Sequence, residues 1–127
     1  MTTLLIIDDD DATIYSLRRL FEFEGHTVQT ARDGFEGMRR VIAAAPDAIL
    51  LDVRMPIANG LVFLRALRGN PRYARIPVAV ITGDYFLEPD VADELAALGA
   101  AIYFKPMWFK GLVEIVERLL AQTDRAH

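Results

Sequence analysis

Cysteine is missing from this chain altogether. That removes disulfides, thiolate metal sites and thiol nucleophiles at once, and is compatible with a reducing cytoplasm. Histidine is nearly as scarce. His26 reads as a turn residue and His127 as a loose end, and neither has partners that suggest catalysis or metal binding. No apolar run approaches the ~18 residues of a membrane span, so membrane insertion is not expected. The N-terminus turns acidic too soon for a signal peptide. Basic charge is in deficit: 14 Lys and Arg against 18 Asp and Glu leave a net charge of −4. Such a chain has no general attraction for nucleic acid or an anionic membrane, and no direct nucleic-acid partner is expected. Internal repeats, low-complexity segments and interdomain linkers are also wanting. The expectation is one domain over residues 1–127, with no output domain attached.

What is present is a folding composition, 53% apolar and 25% charged. At this length about two-thirds of the unfolded surface can be buried. The organising stretch is Ile49-Leu50-Leu51-Asp52-Val53-Arg54-Met55-Pro56. Its unbroken apolar run reads as a strand buried on both faces of a parallel sheet, ending on a carboxylate. Leu4-Leu5-Ile6-Ile7 is a second such run, followed by Asp8, Asp9, Asp10 and Asp11. Ile14, Leu17, Leu20 and Phe21 then fall at helical spacing. Asp10 and Asp11 suit the positive end of that helix, which does not explain Asp8 and Asp9.

Gly25 closes the first helix, and His26 to Ala31 reads as a short alternating strand. Asp33-Gly34 reads as a turn, and Phe35, Met38, Val41 and Ile42 as the apolar face of a helix. Asn59-Gly60 is expected to start a third helix with Leu61, Leu64 and Leu67 inside and Arg65 and Arg68 outside. Ile76 to Ile81 is another buried strand, delivering Thr82. Val91, Leu95 and Leu98 mark a fourth helix. Ala101 to Phe104 forms a fifth strand, delivering Lys105-Pro106, and Leu112, Ile115, Val116 and Leu119 belong to a last helix. Five β-α alternations predict an α/β fold: a five-stranded parallel sheet, doubly wound as (βα)5, with right-handed crossovers.

Ligands of such sheets bind beyond the carboxyl ends of the strands. Those ends deliver Asp8, Asp9, Asp52, Thr82 and Lys105 to one edge. Clustered carboxylates repel one another unless a cation joins them, and oxygen-only ligands point to Mg²⁺. A threonine hydroxyl and a lysine ammonium supply donors for an anion. Together these groups suit a phosphoryl group, with Asp52 as the nucleophile that forms an aspartyl phosphate.

Leu4 to Asp9, Leu51 to Pro56, Asn59-Gly60, Ile81-Thr82-Gly83 and Lys105-Pro106 together resemble a bacterial response-regulator receiver domain. The resemblance runs over essentially the whole chain and implies a flavodoxin-like, CheY-like fold. It implies that Asp52 is the phospho-acceptor, supplied by a sensor histidine kinase or a histidine phosphotransfer protein. Asp9 and Asp52 would ligate Mg²⁺, Asp8 would act largely through water, and the Arg54 main-chain carbonyl would complete the protein ligands. Thr82 and Lys105 would contact the phosphoryl oxygens, and the Lys105-Pro106 bond would be cis. The expected role is a signalling module of a two-component phosphorelay rather than an enzyme, cytoplasmic, acting on a downstream protein target by contact. A weak homodimer is compatible with it.

The family places an aromatic three positions before the lysine, where this chain has Ile102. A one-residue gap would put Tyr103 there, and strand alternation puts Tyr103 on the face of Lys105. Thr82, Ile102 and Tyr103 are therefore the switch candidates. Tyr85-Phe86-Leu87 and Met107-Trp108-Phe109 are read as core residues capping the sheet, the other reading being an apolar contact surface. Arg18 and Arg19 are read as solvated charges that could also help dock an acidic partner.

Three rival readings fit the residues less well. A phosphatase of the haloacid dehalogenase type matches Asp8 and Asp10 but has Ala12 where its threonine belongs. A flavodoxin-like cofactor binder would have to seat a phosphate on four aspartates, which repel it. A degenerate receiver used only for binding would have no need of Asp8, Asp9, Asp52, Thr82 and Lys105.

Overall fold

The apolar runs become strands because each is long enough to cross the core and has helices to cover both faces. A computed structural model describes residues 2–53, 57–83, 88–105 and 108–125. In chain order the elements are β1 (Thr3–Ile7), α1 (Asp11–Phe23), β2 (Thr27–Ala31), α2 (Gly34–Ala43) and β3 (Ala48–Val53). They continue as α3 (Ile57–Gly69), β4 (Val78–Thr82), α4 (Pro89–Ala97), β5 (Ala100–Phe104) and α5 (Phe109–Arg125). All pairings are parallel, and the strand order is β2-β1-β3-β4-β5. The chain therefore winds outward from β1 in one direction and from β3 in the other. The order reverses between β1 and β3, where Ile7 lies beside Leu51.

Strand alternation divides the core in two. Leu5, Ile7, Ile49, Leu51, Val78 and Val80 pack against α2, α3 and α4. Leu4, Ile6, Leu50, Ala79 and Ile81 pack against Leu17 and Phe21 of α1 and Leu112, Ile115, Val116 and Leu119 of α5. Each fully buried leucine, isoleucine or phenylalanine contributes about 1.5–3 kcal/mol. Local signals set the ends of the helices. Asp10 caps α1 by accepting from the Thr13 amide at 3.1 Å. Asp33, expected as a turn residue, caps α2 by accepting from the Glu36 amide at 2.7 Å. At the end of α1, Gly25 takes φ +95°, with Gly25 N–H donating to Glu22 and His26 N–H to Phe21. That left-handed residue is why glycine stands there. At Gly37 the reason is proximity: a Cβ would lie 2.6 Å from Ile7 Cδ1, so α2 rides directly on β1.

Four expectations are corrected. Helix α3 begins at Ile57, so Asn59-Gly60 lies inside it rather than before it. On α2 the buried residues are Gly37 and Val41, while Phe35 and Ile42 are 76% and 63% exposed. The true inner face is rotated, because glycine lets the helix approach where a large side chain would hold it off. Arg68 is not outside. It is half-buried and donates to the carbonyls of Leu98, Ala74 and Ile76 at 2.6, 3.0 and 2.6 Å. Trp108 and Phe109 are not core residues either, being 84% and 58% exposed. Tyr85, Phe86, Leu87, Met107 and His127 lie outside the described residues. Arg18 and Arg19 are surface charges as expected: Arg18 pairs with Glu22 at 3.5 Å, and Arg19 donates to the Tyr15 hydroxyl at 2.9 Å.

Candidate functional site

The strand order reverses between β1 and β3, and folds of this kind hold ligands beyond the carboxyl ends of the strands at such a reversal. Asp8 follows Ile7 at the end of β1, and Asp52 follows Leu51 on the neighbouring strand. Asp8 is fully buried. Its amide donates to the Ala31 carbonyl at 3.0 Å, and its Oδ1 accepts from the Asp10 amide at 3.0 Å. The acidic run after β1 is thus divided by role. Asp10 serves the helix and Asp8 faces inward at the strand end, while Asp9 between them is exposed.

Thr82 closes β4 and is also buried. Beyond β5, the Lys105 amide donates to the Thr82 carbonyl at 2.8 Å, which fixes the lysine backbone beside the threonine. Among the described residues, Asp8 and Thr82 are the only buried polar or charged side chains. Burying a carboxylate is costly unless it is hydrogen-bonded or neutralised, so such a residue is kept for a reason.

The switch candidates separate by face. Ile102 packs in the core beneath α4, whereas Tyr103 packs in the core beneath α5. Thr82 follows Val78 and Val80 at the alternation of the α4 face. Directly across from Thr82 in register is Phe104, which is not among the switch candidates expected from the sequence. It shares the alternation of Thr82 and is partly exposed. Counting parallel partners back from Lys105 would have found it.

The described members of the expected metal set, the Asp8 and Asp9 carboxylates, offer only oxygen. That chemistry fits a hard divalent cation such as Mg²⁺. Among the described residues, no three acidic or histidine side chains form a ready-made metal cluster. The other expected ligands, the Asp52 side chain and the Arg54 carbonyl, lie outside the described residues, as does Pro106. No helix among the described residues is long and apolar enough to cross a membrane.

Comparison with known proteins agrees with this geometry. The family model described as the response regulator receiver domain matches residues 4–117. Response regulator MprA of Mycobacterium tuberculosis is 37% identical over 123 residues, which is 94% of this chain and 51% of that protein. The chain thus spans about half the length of the curated relatives it matches. Among solved structures, the chemotaxis protein CheY4 of Vibrio cholerae is 29% identical, with a TM-score of 0.83 over 94% of this chain and 99% of the other. The signal receiver domain of a histidine kinase from Syntrophus aciditrophicus is 30% identical, with a TM-score of 0.82 over 95% and 91%. With a family match running from β1 into α5, on a sheet wound in this order, the chain belongs to the response regulator receiver domain family.

Proposed function

We propose that Asp52 accepts a phosphoryl group from a phosphohistidine, donated by a sensor histidine kinase or a histidine phosphotransfer protein in the cytoplasm. The observation that carries this reading is the register of β1 and β3. Ile7 pairs with Leu51, so Asp8 and Asp52 come next on adjacent strands at the reversal of strand order. A carboxylate oxygen of Asp52 attacks phosphorus as the phosphorus–nitrogen bond to the donor imidazole breaks. The bonding pair leaves with the imidazole nitrogen, and the product is an acyl phosphate.

Asp8, Asp9, Asp52 and the Arg54 carbonyl would hold Mg²⁺, which neutralises charge on the transferring group. The chain's own residues supply the rest. Asp8 adds a fixed negative charge at the strand end, held in orientation by the Asp10 amide. The Lys105 ammonium balances charge on the phosphoryl oxygens, and the Thr82 hydroxyl donates to one of them. The Thr82 contact exists only in the phosphorylated state, so it can bias a conformational equilibrium. The signal then leaves by contact with a downstream protein, without catalysis of a further reaction.

Incubation with acetyl phosphate and Mg²⁺, followed by mass spectrometry, tests the acceptor. One phosphoryl group on Asp52 is expected, and none on Asp52→Asn. Full labelling of that variant would overturn the assignment.

A further inference from the structure

Helix α2 carries a surface that the phosphoryl chemistry does not use. Its inner face is spent on Gly37 and Val41, yet Phe35 and Ile42 stand exposed on the outside. Val62 of α3, also 62% exposed, borders the same region. An apolar groove between the helices is lined by Phe35, Met38, Val62, Phe63 and Ala66. Large exposed apolar side chains gathered on one face mark a contact surface.

The charges on α2 say what would cover it. Acid lies at the start, with Asp33 as cap and Glu36 in the first turn, and base lies further along, at Arg39 and Arg40. Arg40 reaches Glu36 only at 3.7 Å, and Arg39 makes no ion pair among the described residues. A helix acidic in its first half and basic in its second is complementary to its own antiparallel copy. Across a two-fold axis the acidic half of each helix meets the basic half of the other, and the helix dipoles oppose favourably. A parallel arrangement would set like charges together.

We infer that the outer face of α2, with the adjoining α2–α3 groove, is a self-association surface that pairs two copies of this chain antiparallel through a two-fold axis. Ten residues of helix span about 15 Å. So small a patch makes a weak dimer, formed at high protein concentration and loosened by salt.

Sedimentation equilibrium of the full chain at low salt tests this, with Glu36→Arg and Arg39→Glu as variants. Each variant alone sets like charges across the axis, so its dimerisation should weaken by about tenfold or more. An equimolar mixture restores opposite charges and should recover dimer to the wild-type level. That recovery also shows that both variants fold. A wild type that stays monomeric, a mixture that fails to recover, or single variants that dimerise as well as the wild type would each overturn the proposal. The last outcome would place self-association elsewhere, for instance around Trp108. Phosphorylation of Asp52 enters none of these measurements, so the test stands apart from the proposed phosphotransfer.

Discussion

On the β1 side of the site, Asp9 is exposed but the acids on either side of it are tied down. Asp8 is buried between two backbone hydrogen bonds, Asp10 caps a helix, and that helix buries Leu17 and Phe21. On the β4 side, Thr82 leads through exposed Gly83 to α4, a nine-residue helix with one buried side chain, Leu95. Its cap residue, Glu88, makes no side-chain hydrogen bond. Leu95, with Val91 and Leu98 beside it, packs α4 onto the sheet next to β5, and α3 adds polar ties at the margin. Arg65 forms a two-pronged ion pair with Glu94, and Arg68 donates to the carbonyl of Leu98. One side is fastened by apolar burial on a long helix, the other by a smaller apolar contact with arginine ties at its margin. Burial is hard to undo in steps, whereas polar ties can be released singly. The β1 side suits a fixed charge, and the β4 side suits a response.

The sharpest way to break this contrast is by truncation. Phe21→Ala empties the fully buried packing of α1 and should cost about 3–5 kcal/mol of global stability in denaturant unfolding. Leu95→Ala should release α4 first, seen as faster amide exchange in residues 89–97 ahead of global unfolding. Equal protection of α1 and α4 in the wild type would erase the contrast.

A middle-sized effect should come from metal. A ligand that binds only the folded state stabilises it by mass action, here on the order of 1–3 kcal/mol at saturating Mg²⁺. Melting temperature should rise with millimolar Mg²⁺ and should not rise in Asp9→Ala. Identical wild-type melts with and without the ion would count against a metal site on the β1 side.

The smallest effect concerns Glu94. The hydrogen bond from Arg65 lowers its carboxyl below the ordinary value. A carboxylate whose pKa is depressed by folding stabilises the fold above its unfolded pKa. That stabilisation is lost as pH falls through the folded value. The pair is exposed, so salt screens it. Amide exchange in α4 should therefore be slower in wild type than in Glu94→Gln at neutral pH and low salt. The two should converge once pH falls below the usual carboxylate range. A difference that persists in acid would show that the ion pair is not what steadies α4.

Much of this was legible in the residues themselves. The strands were, because Leu4 to Ile7 and Ile49 to Leu51 are apolar without interruption and only a two-sided core accepts that pattern. The division of labour between Asp8 and Asp10 followed from one lying at a strand end and the other before a helix. Helix faces were harder. Phe35 and Ile42 fit a helical period, but the period does not say which face turns inward, and the vote of Gly37 was invisible until β1 lay beside it. An arginine among leucines reads as solvated, while the Arg68 guanidinium reaches the carbonyls of Ala74 and Ile76 in the following loop and that of Leu98, thirty residues on. Trp108 is large and apolar enough to suggest core, but its place just before α5 leaves it exposed. Phe104 was passed over because its place beside Thr82 depends on the register between β4 and β5.

The missing side chain at Gly37 has a consequence for anyone who maps this protein by exhaustive mutagenesis. Alanine there must displace Ile7 Cδ1, with Phe63 Cε1 already 3.2 Å away, and Ile7 is the residue just before Asp8. The smallest possible enlargement on α2 therefore presses on the strand that carries the buried acid. A substitution screen would find Gly37 sensitive to added bulk, increasingly so beyond alanine, though it has no chemistry to lose. A functional hot spot on that map can be one carbon atom's worth of crowding, felt a helix away.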